Sequence, residues 1–277
     1  MQKVSQVMKD MTSKIENQTS NDLFSTVVFE TDVCECGNPY NAAYLQKFRD
    51  YKARGFLAYR CEVCQKKVNE EEWRKKVAEE ENAIALENCR KFFFEESILD
   101  KKLKLATFDN YHPRNDEQKK GKEIAIRYVN SFDHDNPRGL LLFGNYGTGK
   151  SHLSVSIAKK IVDKRNFVVF LPVPDYLANL KATYGNNSDT ELRIINKIAR
   201  VPLLILDDIG RVDPSGWVEE KLFQIINRRI GMHTIYTSNF GPSELPHRIG
   251  GRNFSRMMED VHPLRITGDD HRLKHFK

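Results

Sequence analysis

Residues 139–151 read GLLLFGNYGTGKS. A short apolar run leads directly into Gly144, Asn145, Tyr146, Gly147, Thr148, Gly149, Lys150 and Ser151, which match the spacing G-x-x-x-x-G-K-[ST]. The chemistry explains the spacing. Glycines let backbone N–H groups turn inward around a phosphate, and the start of the following helix adds a favourable dipole. Lys150 can reach the β- and γ-phosphates, and the Ser151 hydroxyl can ligate Mg²⁺. The stretch therefore predicts a P-loop domain that takes ATP with Mg²⁺.

Reading outward from this loop, apolar runs recur at 167–171, 203–206, 233–237 and 264–266. Helical patterns lie between them, as at 150–164 and 217–230. Runs of this length without polar alternation suit strands buried on both faces. Strands alternating with helices predict a parallel sheet covered by helices.

The run 203–206 ends in Asp207 and Asp208, placing one carboxylate for Mg²⁺ and the next for an attacking water. Asn239 follows the run 233–237, where its side chain can orient that water. Arg252 and Arg256 are four apart in GRNFSRMMED, so on a helix they share a face. An arginine delivered to a γ-phosphate stabilises charge that develops in the transition state.

The first 104 residues differ in character. They hold 18 Lys+Arg and 18 Asp+Glu, so the whole net charge of +6 lies in residues 105–277. That modest excess permits a nucleic-acid partner but is far from the dense basic footprint of a dedicated DNA binder. Cys34, Cys36, Cys61 and Cys64 form two close pairs, and Cys89 stands apart as a buried apolar residue. In a reducing compartment such pairs point to metal before disulfides. Four thiolates suit tetrahedral Zn²⁺, which would supply folding energy to a module with little core. Residues 66–104 lack Gly and Pro and read as one or two charged helices, with Phe92, Phe93 and Phe94 docking at the far end. The expected organisation is a zinc module over 1–65, a charged helical linker over 66–104, and an ATPase domain over 105–277. With 40% hydrophobic and 30% charged residues, no signal-like N-terminus and no run near the roughly 20 residues that cross a bilayer, the expected compartment is the cytoplasm, with no membrane partner.

Several motifs in order carry a resemblance: GNYGTGKSHL at 144–153, VFLPVPDYLANLKATYG at 169–185, LLILDDIG at 203–210, IYTSN at 235–239 and GRNFSRMM at 251–258. From about 105 to 266 the chain resembles AAA+ ATPases of the DnaC/DnaI helicase-loader and IstB type. The resemblance implies an α/β AAA+ sheet with helices on both faces, preceded by a small helix-containing zinc module. It implies phosphate and Mg²⁺ contacts for Lys150 and Ser151, Mg²⁺ for Asp207, and the first sensor role for Asn239. Arg256 would be an arginine finger acting on a neighbouring copy's nucleotide, with Arg252 beside it. Lys181 and Tyr184 would meet single-stranded DNA, and the zinc module would grip a hexameric replicative helicase. Asp208 stands where such ATPases usually carry Glu, which implies slow hydrolysis. The rival expectations are an IstB-like transposition helper and an adaptor that binds ATP without hydrolysing it.

Overall fold

The computed structural model describes residues 27–34, 36–45, 56–58, 61–182 and 195–272. Tyr184 lies outside these residues. The chain divides into two compact units, Met1–Glu81 and Asn82–Lys277.

In the first unit, β1 (Val27–Val33), β2 (Pro39–Leu45) and β3 (Phe56–Ala58) form an antiparallel sheet in the order β1-β2-β3. The β1–β2 register pairs Val33 with Pro39, which leaves Cys34 to Asn38 as the turn. Gly37 sits there at φ 85°, a left-handed conformation that a tight turn demands and that glycine takes without strain. This sheet was not expected from the sequence, which pointed only to a small helix-containing zinc module. Its two longer strands have seven residues each, but Asp32, Glu35 and Asn38 break any clear alternation around the turn.

Helix α1 runs unbroken from Glu62 to Glu96. The division between the units falls inside it, after Glu81, whereas the sequence placed the change near 105. Helix α1 is charged over most of its length. Its last turns are anchored, with Cys89 3% and Phe93 1% exposed in the core of the second unit. Phe92 meets Phe167 edge-on at 4.9 Å, while Phe94 stays exposed.

The second unit is built on a five-stranded sheet in the order β5-β6-β7-β4-β8. These strands are β4 (Gly139–Phe143), β5 (Val168–Pro172), β6 (Leu203–Asp207), β7 (Thr234–Ser238) and β8 (Val261–Arg265), and every pairing is parallel. Strand β8 begins three residues before the apolar run expected at 264–266, because backbone pairing with β4 extends through His262 and Pro263 at the sheet edge. Alternate residues feed two cores. Leu140, Leu142, Val168, Phe170, Leu203, Ile205 and Ile235 enter one cluster, and Leu141, Val169, Leu171, Leu204, Leu206 and Tyr236 enter the other. Helices α2 (Asp116–Asn130) and α3 (Lys150–Asp163) pack in the first cluster. Helices α4 (Val173–Ala182), α5 (Gly216–Arg228), α6 (Leu245–Ile249) and α7 (Gly251–Met257) pack in the second. The sheet is thus covered on both faces, as the unbroken apolar runs require. Each fully buried Leu or Ile contributes about 1.5–3 kcal/mol.

Local signals set the helix starts. Asn115 Oδ1 accepts from the N–H of Gln118 at 2.8 Å, and Ser215 Oγ accepts from that of Val218 at 3.2 Å. Among the described residues, no helix is long and apolar enough to cross a membrane.

Candidate functional site

Strand β4 delivers the chain into the loop 144–149, and α3 begins at Lys150. Gly149 caps α3 at φ 89°, and a Cβ there would lie 2.5 Å from the ring of Tyr111. Gly147, at φ 69°, faces Asp270 so closely that a Cβ would fall 1.8 Å from its carboxylate oxygen. Two of the motif glycines are therefore required by neighbouring segments as well as by their own dihedral angles. Tyr111 donates its hydroxyl to Thr148 O at 3.2 Å, and burial pushes its pKa up to about 12, so it remains a donor. The N–H of His271 donates to Gly147 O at 3.0 Å, fixing the segment after β8 against the loop.

Lys150 is 5% exposed, and its Nζ donates to Gly144 O at 2.9 Å and Asn145 O at 2.6 Å. The ammonium folds back onto carbonyls of its own loop, a place that a phosphate oxygen can take over. Burial lowers its pKa to about 8, opposed by the nearby Asp208 and Asp207 carboxylates.

The acid pair lies at the carboxyl end of β6. Strand β7 runs between β6 and β4, so groups at its end sit between the loop and the acids. Ser151 Oγ donates to Asp207 Oδ2 at 3.1 Å, and Thr237 Oγ1 donates to Asp207 Oδ1 at 2.6 Å. The same Thr237 oxygen accepts from the N–H of Asp208 at 3.0 Å. Asn239 Nδ2 donates to Asp208 Oδ1 at 3.0 Å, and Arg211 pairs with Asp208 Oδ2 at 3.0 Å. Asp208 holds φ 57°, one of two non-glycine residues with positive φ among those described. This left-handed step turns its carboxylate toward Asn239 and away from the line of β6. Burial raises the pKa of Asp207 to about 6, with the Thr237 and Ser151 hydrogen bonds pulling it back. Ser151 and Asp207 thus offer two adjacent hard oxygen ligands, the donor set that suits Mg²⁺.

The structure brings together Lys150, Ser151, Asp207, Asp208 and Asn239. Arg252 and Arg256 lie on α7 and rest on α5, with guanidinium carbons 4.1 and 5.1 Å from the Phe223 ring. Lys181 is exposed at the end of α4, with its Nζ 4.8 Å from the Trp217 ring. Sequence reasoning gave no role to Thr237, Tyr111 or the segment 266–272. Thr237 stood inside the quoted IYTSN run, and its place near the end of β7, two residues before Asn239, was the available signal. Tyr111 and Asp270 carried none, since only the fold brings them to the loop.

The cysteines of the first unit also converge. Cys34 and Cys36 lie in the β1–β2 turn, and Cys61 and Cys64 at the start of α1. All four Sγ atoms lie within 4.8 Å of one another, with Cys36–Cys61 at 3.3 Å and Cys34–Cys64 at 3.5 Å. Tetrahedral bonds of about 2.3 Å to a metal put sulfurs about 3.8 Å apart, so the cluster fits a single soft cation. Cys61 Sγ accepts from the N–H of Cys64 at 3.4 Å, capping α1 with sulfur. Backbone N–H groups of Cys36 and Cys61 lower the Cys34 thiol to about 6, while hydrogen bonds with Cys36 and Cys34 raise Cys64 to about 12. One thiolate is already favoured at neutral pH.

Comparison with known proteins follows this geometry. The chain is 32% identical over 155 residues to the replicative helicase loader DnaC of Buchnera aphidicola subsp. Baizongia pistaciae, covering 55% of this chain and 63% of that protein. It is 27% identical over 150 residues to the replicative helicase loader DnaI of Bacillus subtilis, covering 49% and 48%. The chain thus spans less than two thirds of the length of these curated relatives. A crystal structure of the DnaC helicase loader superposes with a TM-score of 0.56 at 29% identity, covering 60% of this chain and 99% of that one. The AAA+ fold expected from the sequence is the fold found. The sequence profile of the IstB-like ATP binding proteins matches residues 53–277, most of the chain, and the protein belongs to that family.

Proposed function

We propose that the chain is an ATP-dependent loader of a replicative DNA helicase. The observation that carries the enzymatic half is the continuous run of hydrogen bonds from Ser151 through Asp207, Thr237 and Asp208 to Asn239, beside Lys150. Lys150 exchanges its loop carbonyls for the β- and γ-phosphates of ATP. Ser151 and Asp207 hold Mg²⁺, which supplies charge neutralisation at those phosphates. Asp208 takes the proton of the attacking water, and Asn239 fixes the carboxylate and the water. Arg256, with Arg252 beside it, serves the nucleotide of a neighbouring copy, so the complete site needs self-association. Hydrolysis is slow, because the Asp208 carboxylate is short and held by Arg211.

The loading half rests on likeness to DnaC and DnaI together with the cysteine cluster. Residues 1–65 form a zinc module held by Cys34, Cys36, Cys61 and Cys64, and this module binds the hexameric helicase. Residues 66–104 link it to the ATPase domain, 105–277, which binds single-stranded DNA through Lys181 and Tyr184. The whole acts in the cytoplasm. The family also takes its name from IstB, and a transposition helper is the second reading. The loader reading is favoured because the curated relatives of similar sequence are replicative helicase loaders.

The test is a loading assay with the host helicase on closed single-stranded DNA circles. The wild-type chain with ATP should place the helicase on the circles, and Cys61→Ser should hydrolyse ATP but fail to load. Loading by Cys61→Ser at the wild-type level would remove the module from the mechanism. Recruitment of a transposase to duplex DNA in place of loading would favour the second reading.

A further inference from the structure

Helices α5 and α7 meet through two pairs of residues, each four apart. Phe223 and Asn227 lie on α5, and Arg252 and Arg256 on α7. The Phe223 ring contacts both guanidiniums, at 4.1 Å for Arg252 and 5.1 Å for Arg256. Asn227 Oδ1 accepts a hydrogen bond from Arg256 NH1. The contact between the helices is itself pinned. Asn253, 3% exposed, donates to Glu219 O at 2.8 Å and to Ile249 O at 2.7 Å, tying the start of α7 to α5.

The chemistry of this support is selective. Among the described residues, no carboxylate pairs with Arg252 or Arg256. Their partners are a ring face and an amide oxygen, which orient a guanidinium without cancelling its charge. A carboxylate would hold it more tightly and would also compete with any incoming anion. Ring contact removes rotamers from two long side chains in advance, so less entropy is lost when an anion arrives.

We propose that Phe223 and Asn227 are positioning residues that present Arg252 and Arg256, still fully charged, to the phosphates of a neighbouring copy's nucleotide. This rests on the reading of Arg256 as the residue that acts on that nucleotide. Phe223 does not touch the reacting atoms. Its role is to hold the two guanidiniums against one ring.

The experiment measures steady-state ATP hydrolysis by the full chain, with kcat and KM separated, and ATP affinity at dilution. Arg256→Ala is the reference. Phe223→Leu should lower kcat by about 2- to 5-fold, the rate equivalent of one exposed cation–π contact. ATP affinity of the dilute chain should not move. Phe223→Tyr keeps the ring and should keep the wild-type kcat. Asn227→Asp, at an exposed position with no folding demand, brings a carboxylate to Arg256 and should lower kcat at least as far. Added salt should partly restore it by screening the new pair. If Phe223→Leu does not fold, Asn227→Asp decides. Wild-type kcat in either variant, with Arg256→Ala slow, overturns the platform and leaves the arginine in place. An equal fall in Phe223→Tyr and Phe223→Leu also overturns it, since the ring face would not matter. Wild-type kcat in Arg256→Ala removes the action between copies, and the platform with it.

Discussion

At the cysteine cluster, four sulfurs converge from the turn of an antiparallel hairpin and the start of a helix. At the nucleotide site, the reactive groups stand at the ends of strands whose residues are almost wholly buried. On the proposed reading, a bound cation joins the ligand atoms of the first. The second holds them through Thr237, Tyr111 and the segment 266–272, whether or not a ligand is bound. A site made by its ligand and a site made by its fold should fail in different ways.

The largest effect should come from removing metal. Chelation or Cys61→Ser should strip one Zn²⁺ per chain and abolish the fold of the first unit, while ATP binding by the second survives. Metal analysis with nucleotide binding on the same sample checks this, and loss of both together would end the contrast. Lys150→Ala should bring ATP turnover to background through loss of the charge on the phosphates, with the sheet intact by circular dichroism.

Thr237→Val tests the fold-made site more finely. It removes a hydroxyl that donates to Asp207 and accepts from the N–H of Asp208, which should destabilise the chain by about 1–3 kcal/mol in thermal unfolding. It should also raise the pKa of Asp207 further, because the lost hydrogen bond was lowering it.

That carboxylate sets a pH dependence. Its folded pKa is raised from 3.8 to about 6, so the folded chain keeps a proton that the unfolded chain has released. The stability this gives is present at low pH and is lost as pH rises through that window. Mg²⁺ needs the deprotonated form, so its apparent affinity should fall roughly tenfold per pH unit below about 6. Titration calorimetry at several pH values checks it, and a flat profile would show that Asp207 is not the ligand.

The smallest effect belongs to the exposed surface. Lys181→Ala should weaken single-stranded DNA binding by a few-fold and reduce the salt slope by about 0.7, the share of one phosphate contact. Unchanged slope would leave Lys181 as a partner of Trp217 alone.

The nucleotide site was legible because its chemistry is written in contiguous runs. A phosphate loop needs its glycines, lysine and hydroxyl in fixed order, and buried parallel strands cannot hide their apolar residues. What escaped was contact between distant segments. Tyr111 reaches Thr148, and His271 reaches Gly147, through packing that no local spacing records. The cysteine pairs were legible as pairs, but the hairpin carrying the first was not, because its strands are irregular in pattern. The pairing of α5 with α7 was half visible. The four-residue spacing of Arg252 and Arg256 announced a shared face, while nothing in the sequence singled out Phe223.

The left-handed backbone at Asp208 bears on why this position holds the acid it does. Aspartate tolerates φ 57° better than most side chains, because its short carboxylate can bond locally to compensate. A glutamate there would gain reach toward the water but would lose that compensation. On the proposed reading, the shorter acid answers to the turn as well as to the water, and Asp208→Glu would strain the bend that aims it.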